Sequence, residues 1–202
     1  VTLTGRLARL VLGVGLIVTG GYAPNPDGRM DERAPVLSQR DQLDDHRPIT
    51  RAVHEAGGKI SLQILHAGRY AHIAVPVAPS PIQAPISRKA PRALTDAEIQ
   101  ATIAAFATTA ALAREAGYDG VEIMGSEGYL ITEFCATRTN QRDDGWGGSL
   151  ENRLRFPVEI VQHVREKVGP DFIVMYRLSA IDLVEEGLTA DQTVILARKV
   201  EA

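Results

Sequence analysis

Three polar side chains of this sequence lie in or directly after short apolar runs, where strands of a parallel sheet would carry them to one edge. Gln63 lies inside one run, Tyr129 follows another, and Arg177 closes a third. A glutamine amide can donate and accept hydrogen bonds at once on the edge of a heterocycle, and a guanidinium in such a place needs an anion or an acceptor. A phenol can serve as a weak acid. With nearby glycines that admit a flat ligand close to the backbone, these residue types predict a ring-binding site.

Each of these side chains also has a structural interpretation. Arg177 could form a salt bridge with Glu122, Gln63 could bond a neighbouring backbone group, and Tyr129 could be packed. His66 follows the same run as Gln63 and has no partner histidine or carboxylate at ligand spacing, which disfavours metal binding. A loop-orienting role and a ligand role both stay open for His66.

Alternating strand and helix patterns position these residues. Strands are predicted at residues 15–18, 59–65, 120–124 and 172–178. Helical spacing lies between them at 49–57, from a capping box at 95–98 onward, at 152–168, and after Thr189. Short joints between strands and helices predict a parallel α/β sheet.

Such a sheet can be doubly wound or can close into a (β/α)₈ TIM barrel. Gln63, Glu122 and Arg177 inside otherwise apolar strands favour a barrel, whose lumen accommodates polar side chains near its active mouth. No Gly-x-Gly-x-x-Gly follows a strand, which weakens a dinucleotide fold. The Pro- and Ser-rich loop at 66–92 is long enough to be a functional excursion over one barrel end.

The composition of the chain limits the classes of binding partner that it can have. The 202 residues are 45% hydrophobic with a net charge of −3, which suits one globular domain, excludes a nucleic-acid footprint and favours a small-molecule partner. A single cysteine, Cys135, excludes an internal disulfide framework and a cysteine-cluster metal site, and predicts a reducing, cytoplasmic location.

The first residues superficially resemble a secretory signal. Arg6 and Arg9 precede an apolar run, but Gly13 and Gly15 interrupt that run, which is too short to span a bilayer. Because the chain has no initiator Met, we interpret this segment as a truncated N-terminus, with a helix end followed by a buried strand. No membrane association is predicted.

Several motifs in order resemble the old yellow enzyme family of flavin oxidoreductases. The segments that carry the resemblance are Gln63-Ile64-Leu65-His66-Ala67-Gly68-Arg69, the passage at 113–123, and the long signature at 140–156. The resemblance implies FMN as cofactor and a single partial TIM-barrel domain over residues 1–202. It also implies that only about strands 2 to 5 of the barrel are present, so that the chain is truncated at both ends.

One segment points to a branch of that family. Where most members have His, then His or Asn, before Gly-Tyr, this chain has Met124-Gly125-Ser126-Glu127-Gly128-Tyr129, which is similar to the 2,4-dienoyl-CoA reductases of fatty-acid β-oxidation. The side chains that hold a small enone carbonyl in other members are therefore missing. The branch implies a 4Fe-4S cluster, FAD and NADPH, whose sites would lie outside this chain.

The resemblance also implies roles for single residues. Gln63 would bind the pyrimidine edge of the flavin, and Arg177 would stabilise negative charge on the reduced ring. Tyr129 would protonate a conjugated thioester substrate after hydride transfer from the flavin. The predicted substrate channel is lined by Thr139, Asn140, Gln141 and Arg142, with Arg142 as the charged contact.

Three other interpretations stay open. The nearest is an ene-reductase of the same family that acts on small enones rather than on an acyl-CoA. A Schiff-base aldolase on the same barrel needs a Lys at the carboxyl end of a strand, and Lys59 lies at a strand start. The third is an inactive half-barrel whose two unpaired sheet edges favour association.

Overall fold

The computed structural model describes residues 14–201 and shows a parallel sheet covered by helices on one face. The six strands are β1 (Ile17–Tyr22), β2 (Ile60–Ile64), β3 (Val77–Ala78), β4 (Arg92–Ala93), β5 (Gly120–Gly125) and β6 (Ile173–Leu178). Four of them form the main sheet in the order β1-β2-β5-β6, and every pairing in it is parallel. The short strands β3 and β4 pair with each other inside and just after the predicted loop excursion.

Within residues 14–201, five α-helices accompany the strands: α1 (Leu43–Glu55), α2 (Asp96–Glu115), α3 (Leu130–Cys135), α4 (Leu150–Val168) and α5 (Ala190–Glu201). A helix stands between each pair of consecutive strands of the main sheet, as parallel connections require. None of the helices in residues 14–201 is both long and apolar enough to cross a lipid bilayer.

Helix α2 begins where its capping box predicts. The hydroxyl of Thr95 accepts a hydrogen bond from the Glu98 backbone N–H, and the Glu98 carboxylate accepts one from the Thr95 backbone N–H. Leu94 and Ile99, which flank the cap as in a hydrophobic staple, are both buried. The start of α2 is therefore stabilised by two reciprocal hydrogen bonds and by an apolar contact on either side of the cap.

The core lies between the sheet and helices α2 and α4. Alternate residues of the central strands, such as Leu62 and Val121, are fully buried there. Phe134 stacks on Phe156 with ring centroids 4.2 Å apart, which attaches α3 to α4. Burying one such apolar side chain contributes about 1.5–3 kcal/mol. The other face of the sheet carries the polar strand residues.

The structure corrects the predicted bounds of two elements and adds one element that was not predicted. Strand β1 begins at Ile17 rather than at residue 15 and runs on to Tyr22, with a break in register between Val18 and Gly21. Helix α1 begins at Leu43, six residues before the predicted segment, and contains Pro48. The six-residue helix α3 was not predicted. The apolar pattern predicted where β1 and α1 lie in the sequence. It did not predict their exact ends, because glycine and proline interrupt the pattern, and α3 is too short to produce one.

Candidate active site

The open face of the sheet gathers the predicted cofactor residues. Residues paired in register on neighbouring parallel strands point to the same face. Gln63 of β2 pairs with Glu122 of β5, and one pleat further Met124 pairs with Arg177 of β6. Gln63, Glu122 and Arg177 therefore all lie on the face opposite the helices, towards the carboxyl ends of the strands.

A break in register of β1 supports the position of Gln63. The Thr19 hydroxyl accepts a hydrogen bond of 3.0 Å from the Gln63 backbone N–H, in place of a regular ladder contact. The Gln63 side chain donates from Nε2 to Glu122 Oε2 at 2.5 Å. The neighbouring group that Gln63 binds is thus a buried carboxylate and not a backbone group.

Arg177 differs from the sequence-based expectation in its burial. Its side chain is 51% exposed, because β6 is an edge strand of the four-stranded sheet. The structural interpretation was right about the partner, since Arg177 Nη1 lies 3.6 Å from Glu122 Oε1. A second carboxylate, on the exposed Glu127, lies 3.5 Å from Arg177 Nε. Both contacts are longer than a typical hydrogen bond, so the guanidinium can still donate hydrogen bonds to an anionic or carbonyl ligand.

Tyr129 lies where β5 passes into α3. It is the residue before the first turn of α3, is half-buried, and packs edge-to-face against Tyr70 with ring centroids 6.2 Å apart. A cavity of about 290 Å³ opens on its ring. The cavity is lined by Met30, Tyr70, His72, Ile86, Glu127 and Tyr129. Burial raises the pKa of the Tyr129 phenol above its ordinary value, and the charges of Glu127 and Tyr70 add to the increase.

The turn before Tyr129 depends on an unusual backbone. Glu127 has φ 64° and Gly128 has φ 82°, so two successive residues occupy the left-handed region. The Glu127 backbone N–H donates to the Ser179 hydroxyl at 3.1 Å, which ties the turn to the end of β6. A Cβ on Gly128 would lie 3.1 Å from the Tyr70 ring. The sequence Glu127-Gly128 therefore lets Tyr129 and Tyr70 pack closely.

A second, larger cavity of about 350 Å³ adjoins this turn. Its walls include Arg69 and Glu133, with the exposed apolar residues Leu183 and Val184 at its rim. Within the described residues, Arg69 Nε and Glu133 Oε2 are buried without a hydrogen-bond partner. Burial raises the pKa of the Glu133 carboxyl well above its usual range. Sequence reasoning missed Glu133, although an acid inside the apolar run of α3 was a visible signal.

His66 proves to be a buried neutral imidazole. Its Nδ1 lies 3.2 Å from the Gly68 backbone N–H and accepts from it, and Nε2 has no partner in residues 14–201. Burial lowers the pKa of His66 to about 3. This geometry supports the loop-orienting interpretation. Among the same residues, no three His, Cys, Asp or Glu side chains come together in a way that could hold a metal ion.

The predicted substrate loop is largely bonded to the protein itself. The Thr139 hydroxyl donates to the Glu133 carbonyl at 2.7 Å, and the amide of buried Asn140 donates to the Phe134 and Trp146 carbonyls, both at 2.7 Å. These contacts hold the loop against α3. The substrate contacts predicted for Thr139 and Asn140 stay predictions.

Arg142 and Gln141 have contrasting environments in that loop. The Arg142 guanidinium donates to the Asp144 carboxylate and to the carbonyls of Pro79 and Leu94, and only 12% of its side chain is exposed. The Gln141 side chain is exposed, while its backbone N–H donates to the Ser80 hydroxyl. Arg142 thus has a structural role, and its predicted contact with substrate stays a prediction, as does that of Gln141.

Known proteins resemble the chain in sequence and in structure. The profile of the NADH:flavin oxidoreductase / NADH oxidase family matches residues 6–202. An NADPH dehydrogenase of Geobacillus sp. (strain WCH70) is 40% identical over 195 residues, which are 96% of this chain and 56% of that protein. An NADH oxidase of Thermoanaerobacter brockii is 38% identical, and the match spans 96% of this chain but 31% of that protein. The chain therefore spans between about a third and just over half of the length of these relatives.

A solved structure of 2-naphthoyl-CoA reductase with 2-naphthoyl-CoA superposes with a TM-score of 0.91 at 33% identity and covers 96% of this chain. That match covers 32% of the reductase chain. The neighbouring folds are TIM barrels, so the predicted barrel is confirmed, with only part of it present here. With the matching profile, these likenesses show that the chain belongs to the NADH:flavin oxidoreductase family, the old yellow enzymes.

Proposed function

We propose that this chain provides the FMN-binding and proton-donating part of an NAD(P)H-dependent oxidoreductase. Its substrate would be a conjugated carbon–carbon double bond, and 2,4-dienoyl-CoA is the substrate that we favour. The observation that carries the proposal is the half-buried Tyr129 phenol, whose raised pKa keeps it protonated, at the strand edge that also carries Gln63 and Arg177.

The residues of the open face fit an FMN ring. The Gln63 amide uses one N–H on Glu122 and keeps its carbonyl oxygen and its second N–H for a ligand. Arg177 is half exposed and has only long contacts to carboxylates, so it can meet negative charge on a reduced ring. Bound FMN would supply the hydride. Gln63 would orient the ring, and Arg177 would stabilise its charge.

Tyr129 would supply the proton at its Oη. Reduction of a double bond next to a thioester leaves an enolate that needs a proton at carbon, and a general acid must be protonated at working pH. Because burial and the nearby Glu127 raise the pKa of Tyr129, the phenol is protonated at neutral pH. The cavity that Tyr129 lines gives the substrate a place beside this side chain.

The residues before Tyr129 favour an acyl-CoA substrate. Ser126 is buried, and its hydroxyl donates to the Met124 sulfur at 3.6 Å, so these two side chains satisfy each other. Neither offers a free donor to a small carbonyl group. The likeness to 2-naphthoyl-CoA reductase, whose structure contains a CoA thioester, also supports a thioester substrate. The 4Fe-4S cluster, FAD and NADPH of the dienoyl-CoA branch would belong to parts of the protein beyond this chain.

The test replaces Tyr129 in the FMN-loaded protein. We expect Tyr129→Phe to slow the reduction of dienoyl-CoA by about 10²–10⁴-fold, the usual contribution of a general acid. Reduction of FMN by the nicotinamide nucleotide should be nearly unchanged, because it needs no proton from Tyr129. Rapid-mixing absorbance at the flavin band follows both half-reactions separately.

A matched control is Tyr118→Phe, since the Tyr118 hydroxyl contacts His46 in the helical layer. That substitution should leave both half-reactions intact. Equal slowing of the two half-reactions in Tyr129→Phe would contradict the proton-donor role.

An ene-reductase of small enones is the second candidate. The cavity at Tyr129, about 290 Å³, is the size of a small-molecule site, and the NADPH dehydrogenase relative is 40% identical. Oxidation of the reduced protein by cyclohexenone and by a dienoyl-CoA, compared at equal concentration, separates the candidates. Faster oxidation by cyclohexenone would favour the enone reductase.

A further inference from the structure

Glu122 is a buried acid on the open face of the sheet, between the two proposed FMN-binding residues. It is 8% exposed, and each carboxylate oxygen has a different neighbour. Oε2 accepts from Gln63 Nε2 at 2.5 Å, whereas Oε1 lies 3.6 Å from Arg177 Nη1. One carboxylate therefore contacts both side chains that would hold the ring.

The contact with Gln63 fixes the orientation of its amide. A glutamine amide can be turned over to exchange its oxygen and nitrogen, and the hydrogen-bond partners decide between the two arrangements. Because Glu122 is an acceptor, Gln63 must present nitrogen to it and keep its oxygen on the other side. A ring that binds there then meets the Gln63 oxygen as an acceptor and the second N–H of the amide as a donor.

The contact between Glu122 and Arg177 offsets part of the positive charge of the guanidinium. A buried carboxylate interacts more strongly than an exposed one, because solvent screens it less. The Glu122 side chain is 10% exposed, while the other acid near Arg177, Glu127, is 54% exposed. Glu122 is thus the acid that most reduces the positive charge available to a ligand.

We propose that Glu122 is a positioning residue that orients Gln63 and partly neutralises Arg177, and so lowers the reduction potential of bound FMN. Reduced FMN carries more negative charge than oxidised FMN, and a fully unpaired Arg177 would favour the reduced form more strongly. This inference rests on the proposed FMN function. It gives a role in the site to Glu122, which the sequence analysis named only as a polar strand residue and as a salt-bridge partner of Arg177.

The experiment measures the midpoint potential of FMN in the loaded protein, by stepwise reduction beside a reference dye. We expect Glu122→Gln to raise the ratio of reduced to oxidised FMN affinity at least tenfold, a positive shift of about 30 mV for a two-electron couple. Glu151→Gln is the matched control, because Glu151 is an exposed acid paired with Lys199 on the helical layer. It should leave the potential unchanged.

A double-mutant cycle distinguishes positioning from a general structural effect. In an Arg177→Met background, Glu122→Gln should raise the potential by a smaller amount, because the guanidinium that Glu122 restrains is gone and only the direct effect of the carboxylate on FMN remains. An equal shift in both backgrounds would overturn the proposal, and so would an unchanged potential in the single variant.

A second variant covers the possibility that Glu122→Gln fails to fold. Glu122→Asp keeps the charge on a shorter side chain, so FMN should bind less tightly while the potential stays close to that of the wild type. Loss of folding in both variants would make Glu122 a structural residue and would overturn the proposal. Failure of the wild-type protein to bind FMN would instead contradict the proposed function itself.

Discussion

The open face of the sheet and the loop at residues 139–146 carry similar polar residues with opposite consequences. On the sheet, Arg177 is half exposed and has only long contacts to carboxylates. In the loop, the Arg142 guanidinium meets a carboxylate and two backbone carbonyls, and little of it is exposed. Buried polar groups of native proteins are normally paired, so a paired arginine supports structure, whereas an arginine with free donors can bind a ligand.

The strongest way to test this contrast is to remove Asn140. Asn140→Ala leaves the buried carbonyls of Phe134 and Trp146 without their donor. We expect the free energy of unfolding to fall by about 3–4 kcal/mol, because each unsatisfied buried group costs about 1–3 kcal/mol. Urea denaturation followed by circular dichroism measures the change.

Gln141→Ala is the control, since the neighbouring Gln141 side chain is exposed. Its unfolding free energy should change by less than about 0.5 kcal/mol. An Asn140→Ala protein as stable as the control would show that the loop is not held by these bonds, and the contrast with the sheet would fail.

His66, a buried polar residue that follows β2, gives a pH-dependent test. Burial lowers its pKa from 6.5 to about 3 in the folded protein. Between these values the unfolded chain binds a proton that the folded chain does not. The stability from neutral His66 is therefore complete above pH 6.5 and is lost as pH falls towards 3.

We expect wild-type protein to lose about 2 kcal/mol more than His66→Asn between pH 7 and pH 5, because the variant has no imidazole to protonate. Asparagine can still accept from the Gly68 backbone N–H, which keeps the loop contact comparable. Urea unfolding of both proteins at the two pH values provides the measurement. Parallel losses would mean that His66 is accessible to protons in the folded state.

The smallest stability effect is expected at Arg177. Because this side chain is half exposed and its ion pairs are long, Arg177→Ala should change the unfolding free energy by no more than about 0.5 kcal/mol. FMN retention after desalting should nevertheless fall, as read from the visible flavin band. Unchanged flavin content would place Arg177 with Arg142 as a structural residue.

Local chemistry made the fold predictable. Helix ends were predictable where a cap forms hydrogen bonds within a few residues. Thr95 and Thr189 cap the starts of α2 and α5, and a glycine follows the end of α4, as the structure shows. Helix α3 was not predicted because six residues are too few for a periodic pattern. Its stability depends on tertiary packing, since all six of its residues are buried and Phe134 stacks on Phe156.

The positions of the candidate site residues could be predicted from the sequence, but most of their hydrogen-bond partners could not. Gln63, Tyr129 and Arg177 lie at or just beyond the carboxyl edge of the sheet. Their position could be predicted because the apolar runs show in the sequence where the strands end. The hydrogen bond from Arg142 to the Leu94 carbonyl could not be predicted, because it joins residues that are 48 positions apart in the sequence. Contacts of that kind depend on the tertiary fold.

The in-register pairing of β2, β5 and β6 has a consequence for how such a protein can change over evolution. Side chains alternate between faces with a period of two, so deleting one residue from β5 would move Glu122 into the helical layer and bring an apolar neighbour to the open face. Substitutions can alter this site one residue at a time. We therefore expect insertions and deletions to be tolerated in the connecting loops, where a change in length leaves the register of the strands intact.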